Sequence, residues 1–490
     1  MAEYKHGTYG DFSPSIGDVA GNGDAVAIYV GAAPVNLIRN YEKYVNVPVK
    51  LTDIDDVYNA FGYSSDWGKF DLCEAFKVHF DNENGNIGPI VAINVLDPAT
   101  HKLAGDTTVS LSFVNGRATI KSDTIILDSL VIADKVEGTD YTLSYDFTKG
   151  HAVIVSIGDT EITGTINATY SQVDTAGVDV EAIIGEATAD GVYSGLGCVG
   201  LVYPTLNVIP NLILCPKWSE NPNVYKAMLK AAKKINGHWE AMVYADIPVL
   251  VGSEKVDTIA KATEWKNTNE YVSEFSKVYW PQTKGKDGNT YHTSVIAAWS
   301  TMNVDASHNG VPMESPSNKA LPMVAAQYFG AGSTNRGFDQ QTGNNLNKDG
   351  ITTVVFWGGT WVLWGPHTAA FKHGAIEDNR SIFDVSIRMM MHILNSFQLE
   401  YGTTIDAPMT RALAETIKNR EQEKADALVA IGALIGTPVV EFKESANSTD
   451  DLVEGNFTWG FKGTPTPPFK SGTLQVAYTT AGFNSYFGEV

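Results

Sequence analysis

The sequence predicts a multidomain chain of mixed α/β and α+β class, with an inserted antiparallel β-sandwich or barrel domain and an extended arm at each end. Three observations predict this. Short charge-free runs such as AVAIYV (25–30), PIVAINVL (89–96) and NLILC (211–215) alternate with amphipathic helical segments, as in an α/β layer. From Asp97 to about Ile184 the texture changes to many short alternating runs separated by turn residues. Beyond the proline break TPTPP, the run Thr473–Tyr478 alternates again, without a partner nearby in sequence.

At 490 residues the chain exceeds the size at which one core usually splits. The expected division is an N-terminal arm over 1–20, a core α/β domain over 21–96 with 185–350, an inserted β domain over 97–184, a C-terminal α/β domain over 351–470 and an arm strand over 471–490. A formal charge of −21 argues against nucleic acid and against anionic membrane surfaces. The first twenty residues lack a basic start followed by an apolar core, so no signal peptide is expected. No run of roughly 18 apolar residues exists, so no membrane contact by this chain is expected. The three cysteines, Cys73, Cys198 and Cys215, show no CxxC spacing, which fits buried thiols in a reducing cytoplasm.

In chain order, Ala25–Val30 reads as a buried strand. Leu51–Phe61 reads as a helix capped by Thr52 or Asp53, and Asp71–Phe80 as a second helix. Pro89–Leu96 is a further strand. The segment 97–184 supplies VSLSFV, ATIKS, TIILDSLVIA, YTLSYDF, HAVIVSI and TINATYSQV, with turns at Asn115-Gly116, Lys149-Gly150 and Gly158-Asp159. Ala182–Val202 reads as one or two helices. Asn211–Cys215, the amphipathic helix Asn221–Ile235 and Ala241–Asp246 form a strand-helix-strand unit with parallel strands. Lys277–Trp280 reads as a strand, Tyr291–Ser300 as a helix, and Gly310–Asn345 as irregular.

Ile351–Thr368 is free of acidic residues, lysine and arginine. Two apolar runs flank Gly358-Gly359, as in two buried strands joined by a tight turn. Asp378 is expected to cap a helix running to about Gln398. Asp406 is expected to cap another, with Pro408 in its first turn and a kink near Arg420–Lys424, where five polar residues interrupt the apolar stripe. Gly436–Phe442 and Asn456–Phe461 read as strands, with an acidic turn at Asn447–Gly455 between them.

Catalytic signatures are absent. Gly195–Gly200 matches GxGxxG, but neither the preceding strand nor the following helix of a dinucleotide site accompanies it, so the glycines read as close packing. There is no GxxxxGK[ST], GxSxG or HExxH. His367 and His373, six apart on a loop, make a poor metal pair. Asp450-Asp451 read as a solvated turn, and Met389–Met391 as core filling. No catalytic, cofactor-binding or metal-binding residue is assigned.

What a soluble monomer leaves unexplained is the pair of chain ends, both strand-like and both unpartnered. An unpaired edge is a template for another chain, and a terminal strand that adds to a neighbour's sheet, repeated head to tail, builds a filament or tube.

At this point the sequence resembles the tail sheath proteins of contractile phage tails and related contractile injection particles. AVAIYVGAAP, DDVYNAFG, AFKVHFDN and PIVAINVL are similar to that family's opening domain. GTDYTLSYD lies in a segment similar to the variable insertion of one branch, and YPTLNVIPNLILCP resembles the passage that follows it. The strand ending in Trp364-Gly365, the helix pair, GALIGTPVVEF, NSTDDLVEG and the two last strands occur in the family's order. One departure is that GGTWVLWGPHT lacks the arginine usual in that strand, so no role of that arginine carries over.

The resemblance implies a structural protein rather than an enzyme, without a cofactor. Such a protein polymerises as stacked rings around an inner tail tube protein, meets baseplate and tail terminator proteins, and contracts to drive the tube through a cell envelope. It would be assembled in the host bacterial cytoplasm and reside in a virion tail or tail-like particle. In this chain the resemblance assigns inter-subunit strand exchange to Tyr4, Tyr9 and Phe12 of the first arm and to Leu474, Val476 and Tyr478 of the last. The receiving sheet would contain Val354, Val355, Trp361, Val362, Phe457 and Trp459. The alternatives are an α/β enzyme with an added β domain, which needs a polar pocket with paired catalytic groups, and a β-domain binding or adhesion protein. The second would use aromatics of the insertion (Phe113, Tyr141, Tyr145, Phe147, Tyr170) as a platform.

Overall fold

The computed structural model describes residues 25–488 apart from 83–84, 159–160, 189, 334–337 and 377. The first arm, with Tyr4, Tyr9 and Phe12, lies outside the described residues.

An eight-stranded sheet forms the centre of the molecule. Its order across the sheet is Thr360–Trp364, Ile351–Trp357, Ser276–Tyr279, Met242–Asp246, Leu212–Leu214, Ala27–Gly31, Ile90–Asn94 and Pro48–Leu51. The inner six strands are parallel, and each edge strand runs antiparallel to its neighbour. Every residue of Ala27–Gly31, Ile90–Asn94 and Met242–Asp246 is buried, which requires cover on both faces. Helices Leu72–Phe80 and Thr293–Ser307 pack on each other and on this sheet, and Pro222–Ala232 packs on Leu212–Leu214 and Met242–Asp246.

Asp53 caps Ile54–Ala60 by accepting from the Asp56 amide. Gly195–Leu201 is a 3₁₀ turn rather than part of a long helix. A Cβ at Gly195 would lie 2.4 Å from the Ile183 carbonyl oxygen and one at Gly197 2.0 Å from that of Glu186, so close packing explains these glycines.

The segment between Thr107 and Tyr170 forms two three-stranded antiparallel sheets, Thr107–Phe113 with Gly164–Tyr170 and Val131–Ile132, and Arg117–Ile120 with His151–Ser156 and Tyr141–Asp146. They enclose their own core, which includes Leu111, Phe113, Ile120, Tyr141, Ile154 and Tyr170. Asp123 ties this unit to the main one: Ser64 Oγ and Lys69 Nζ donate to its carboxylate, and Asn36 donates to its carbonyl. Phe147 stacks on Tyr58 of the main unit at 5.0 Å. The aromatics of the insertion are thus core and anchoring groups.

In the C-terminal part, helix Asp384–Tyr401 lies between two cores. Ile387 and Met391 pack on the main sheet, while Met389 and Ile393 join a smaller core with Ala425, Leu428, Leu434, Val440 and Phe461. The consecutive methionines therefore serve both sides of one helix. Asp378 caps only a 3₁₀ turn, Asn379–Ile382, and the helix starts afresh at Asp384. Asp406 has left-handed backbone geometry and does not cap the next helix, because Pro408 disfavours helical backbone at Ala407. Thr410 caps it instead, by accepting from the Leu413 amide.

That helix, Arg411–Ala430, runs through Arg420–Lys424 without the expected break, because Arg420, Glu421, Gln422 and Lys424 all have partners and Glu423 is exposed. Glu421 accepts from Tyr401 Oη and pairs with Lys424, which also meets Glu400. Gln422 bonds the neighbouring strand. The acidic turn is a short helix, Thr449–Val453, closed by a capping box between Ser448 and Asp451.

Candidate functional site

Among the described residues, the point where this fold would hold a ligand is closed. The order of the parallel strands reverses between Ala27–Gly31 and Leu212–Leu214, and doubly wound sheets bind ligands outside the carboxyl ends of the strands at such a point. Here that crevice is filled by the chain itself. Asp71 Oδ1 accepts from the Ala32 amide at 2.9 Å, and its Oδ2 accepts from Trp218 Nε1 at 2.8 Å. A Cβ at Gly31 would lie 1.9 Å from Asp71 Oδ1, so even a methyl group would displace the carboxylate. Burial pushes the Asp71 carboxyl up to about 6. Among the described residues, no group of three or more His, Cys, Asp or Glu is arranged to hold a metal ion, and no helix is long and apolar enough to cross a membrane. His367 is stacked between Phe371 and Phe383 and bonded to the Ile382 carbonyl.

A partly buried ionic cluster lies at the carboxyl ends of the strands. His292 Nδ1 meets Glu74 Oε2 at 2.7 Å, and its Nε2 lies 3.6 Å from Glu220 Oε1. Asp246 beside them accepts from the Ser294 amide and hydroxyl. Burial alone would lower the His292 pKa, but the surrounding Glu74, Asp246 and Glu220 carboxylates outweigh it and push it up to about 10. Burial pushes Glu220 up to about 7, against the pull of His292. Both folded values exceed the unfolded ones, so both groups favour the folded state most below their unfolded pKa. Glu220 loses that contribution as pH rises from about 4.5 to about 7, and His292 as pH rises through about 10. Urea unfolding of Glu220→Gln beside the wild type should therefore show the variant gaining relative stability between pH 5 and pH 8, on the order of 3 kcal/mol. A gap between the two proteins that stays constant with pH would contradict this assignment.

The other notable feature is the distribution of open and closed sheet edges. The hairpin Ile351–Trp364 turns at Gly358-Gly359, both with positive φ, and forms one edge of the main sheet. Val354, Val355 and Val362 are buried there, and Trp361 is half-buried. The outer edge of this hairpin is occupied: the Asn318 and Leu321 amides donate to the Leu363 and Trp361 carbonyls, and the Leu363 amide donates to Lys319. The opposite edge strand begins with Pro48, which has no amide to offer.

A separate sheet comprises only Leu434–Glu441 and Gly460–Pro465 among the described residues. The expected single receiving sheet is thus two sheets, since the hairpin pairs in parallel with Ser276–Tyr279 and not with the late strands. Phe457 and Trp459 lie just before Gly460–Pro465. Trp459 bonds the Ala414 carbonyl and packs on Phe397 and Phe442, holding this sheet on both long helices.

Beyond Pro465, Thr466 bonds Ala433 and Gly432, and Lys470 lies over the Phe371 ring. Leu474, Val476 and Tyr478 follow in a segment that belongs to no strand or helix, and they are 87%, 83% and 82% exposed. At a spacing of two they share one face of a strand. Phe469 and Tyr486 flank them, also exposed. A row of exposed apolar groups of this kind is uncommon on the surface of a monomeric protein.

Sequence reasoning missed Gln422 and the occupied hairpin edge. Neither carries a local signal: Gln422 sits in a polar run, and edge cover by 318–321 depends on long-range pairing.

No family model matches the chain. A tail sheath protein of Burkholderia phage BcepMu is 24% identical over 493 aligned positions, spanning 93% of this chain and 92% of its own length. Among solved structures, the anti-feeding prophage baseplate contains a chain of the same fold, with a TM-score of 0.55 and 12% identity over 98% of this chain and all of its own. A contracted sheath complex of the extracellular contractile injection system PVC also has this fold, with a TM-score of 0.55 and 12% identity, covering 98% of this chain and 99% of its own. The contracted helical sheath of the anti-feeding prophage gives 0.53 at 12% identity over 98% of this chain and all of its own.

Proposed function

We propose that this chain is a structural subunit of a contractile tail sheath, a homologue of phage tail sheath proteins and of contractile injection system sheaths. The role is mechanical: copies stack helically around an inner tail tube, meet a baseplate at one end and a terminator at the other, and contract to push the tube through a cell envelope. The subunits are made in the bacterial cytoplasm and become part of a phage tail or tail-like particle. No enzymatic step is required, because contraction runs downhill from a metastable extended lattice as new subunit contacts form.

The observation that carries the reading is the last segment. Leu474, Val476 and Tyr478 are exposed at a spacing of two, which would place them on one face if the segment became a strand, on a chain that also contains a two-stranded sheet with outer edges. Addition of that segment to the sheet of a neighbouring copy satisfies both, by strand augmentation. The sheet Leu434–Glu441 with Gly460–Pro465 is the receiver this geometry favours, since the hairpin edge of the main sheet is already covered. The first arm, with Tyr4, Tyr9 and Phe12, is assigned the complementary link by the family resemblance. The filled crevice at Asp71 and Trp218 speaks against the α/β enzyme reading, and the buried or anchoring aromatics of the insertion speak against an aromatic binding platform there.

Negative-stain electron microscopy of the purified chain, alone and with its tube protein, tests this function. Rings or tubes of uniform width are expected. Dispersed monomers under both conditions would contradict the sheath assignment.

A further inference from the structure

We propose that Gln422 guards the outer edge of strand Leu434–Glu441, holding it closed in the free subunit and yielding it to a strand of a second copy during assembly. This rests on the sheath reading above.

The side chain projects from helix Arg411–Ala430 onto the strand. Its Nε2 donates to the Pro438 carbonyl at 3.0 Å, and its Oε1 accepts from the Val440 amide at 2.9 Å. Val440 lies opposite Phe461, but alternate residues of an antiparallel ladder turn their amide and carbonyl away from the partner strand, and the Val440 amide and Pro438 carbonyl taken by Gln422 are on that outward edge. In a parallel ladder, one residue donates to the carbonyl of residue i−1 and accepts from the amide of i+1. The Gln422 amide does the same across 438 and 440, and so reproduces one residue of a docked parallel strand.

The second Nε2 hydrogen goes to Asp426 Oδ1 at 2.9 Å. That bond fixes the orientation of the amide, since the reverse would set its oxygen against both a carbonyl and a carboxylate. The edge carries further protection: Pro438 lacks an amide, and the register shifts between Ile435 and Val439, where Gly436 has positive φ. Ile435 and Val439 nevertheless remain exposed, as suits an edge meant to be covered later. A bridge made by one side chain can rotate away, whereas a covering strand cannot. Blocking by a side chain therefore suits a chain that must stay apart until it assembles.

The test compares the full-length wild type with Gln422→Met, which keeps length and helix propensity but makes no such hydrogen bonds, and with Gln422→Ala. Hydrogen exchange at the Val440 amide is read in the free subunit, and the concentration at half-assembly is read by light scattering. Both variants should lose Val440 protection while keeping the exchange pattern of the main sheet. Both should assemble at about tenfold lower concentration, since docking no longer has to break the two hydrogen bonds by which the side chain holds the edge. Equal Val440 exchange in wild type and variants, or an unchanged or higher assembly concentration, would overturn the proposal. If no protein assembles at any concentration although Val440 protection differs as expected, the sheath reading has failed rather than the edge contact.

Discussion

Ending the chain after Ser471 is expected to raise the concentration needed for assembly about a thousandfold while leaving the melting temperature of the free subunit unchanged. The second half of this expectation follows from exposure. Leu474, Val476 and Tyr478 are each more than four-fifths exposed, so removing them takes nothing from the folded subunit. The first half follows from what they would bury in a neighbour. Each apolar side chain is worth about 1.5–3 kcal/mol when fully buried, and ordering the arm offsets part of that. A net loss of about 4 kcal/mol per junction corresponds to the thousandfold shift. Sedimentation velocity over a concentration series, beside thermal melting, measures both halves. Unchanged assembly would move the linkage to the first arm, and a lowered melting temperature would mean the segment also serves its own subunit.

Replacing Lys277 by Met is expected to destabilise the subunit by about 3–5 kcal/mol. Lys277 on the sheet and Asp384 at the start of helix Asp384–Tyr401 form an ion pair with no solvent exposure on either side chain. Removing one partner leaves a buried charge uncompensated, the most damaging single change at such a pair. The same helix face carries Arg388, paired with Asp305, and Asn395, which bonds the Glu240 backbone in both directions. These ties fix the C-terminal unit on the main sheet. The double variant Lys277→Met with Asp384→Leu should recover most of the loss, because both charges then leave the interior together. Urea unfolding of the two variants decides. A single variant within about 1 kcal/mol of wild type would mean that water reaches the pair.

Much of the main unit was legible because its signals are local. Ala27–Gly31 and Ile90–Asn94 are charge-free, Met242–Asp246 carries a charge only at its last residue, all three are buried on both faces, and Asp53 caps its helix as its position suggests. The insertion was legible from alternation, since its strands bury every second residue between Leu111 and Phe113 and between Ala168 and Tyr170.

Competition between nearby signals explains the misplaced helix starts. Asp378 and Thr410 both cap something, but a 3₁₀ turn intervenes after the first, and Pro408 holds back the start at Asp406. The expected kink at Arg420–Lys424 failed because a polar run reads as an interruption only when its partners are unknown, and Glu421 and Gln422 find theirs across the fold. Sheet membership was the least legible property. Ile351–Trp357 has the same composition whichever sheet it joins, and its parallel pairing with Ser276–Tyr279 crosses about seventy residues of sequence. The candidate linkage was half legible: the exposed arm follows from alternation beyond a proline break, but the sheet it fits does not.

The central claim is that the last segment of one copy pairs with the two-stranded sheet of another. Cysteine cross-linking measures this most directly. Val439→Cys, exposed on strand Leu434–Glu441, is combined in turn with Leu474→Cys, Val476→Cys and Tyr478→Cys, and the oxidised protein is run on a non-reducing gel. The native Cys73, Cys198 and Cys215 are buried and leave the background clean. A ladder of covalent multimers, formed only in the assembled state and strongest for one of the three pairs, is the predicted result. Particles that assemble normally yet yield only monomer bands for all three pairs would contradict it.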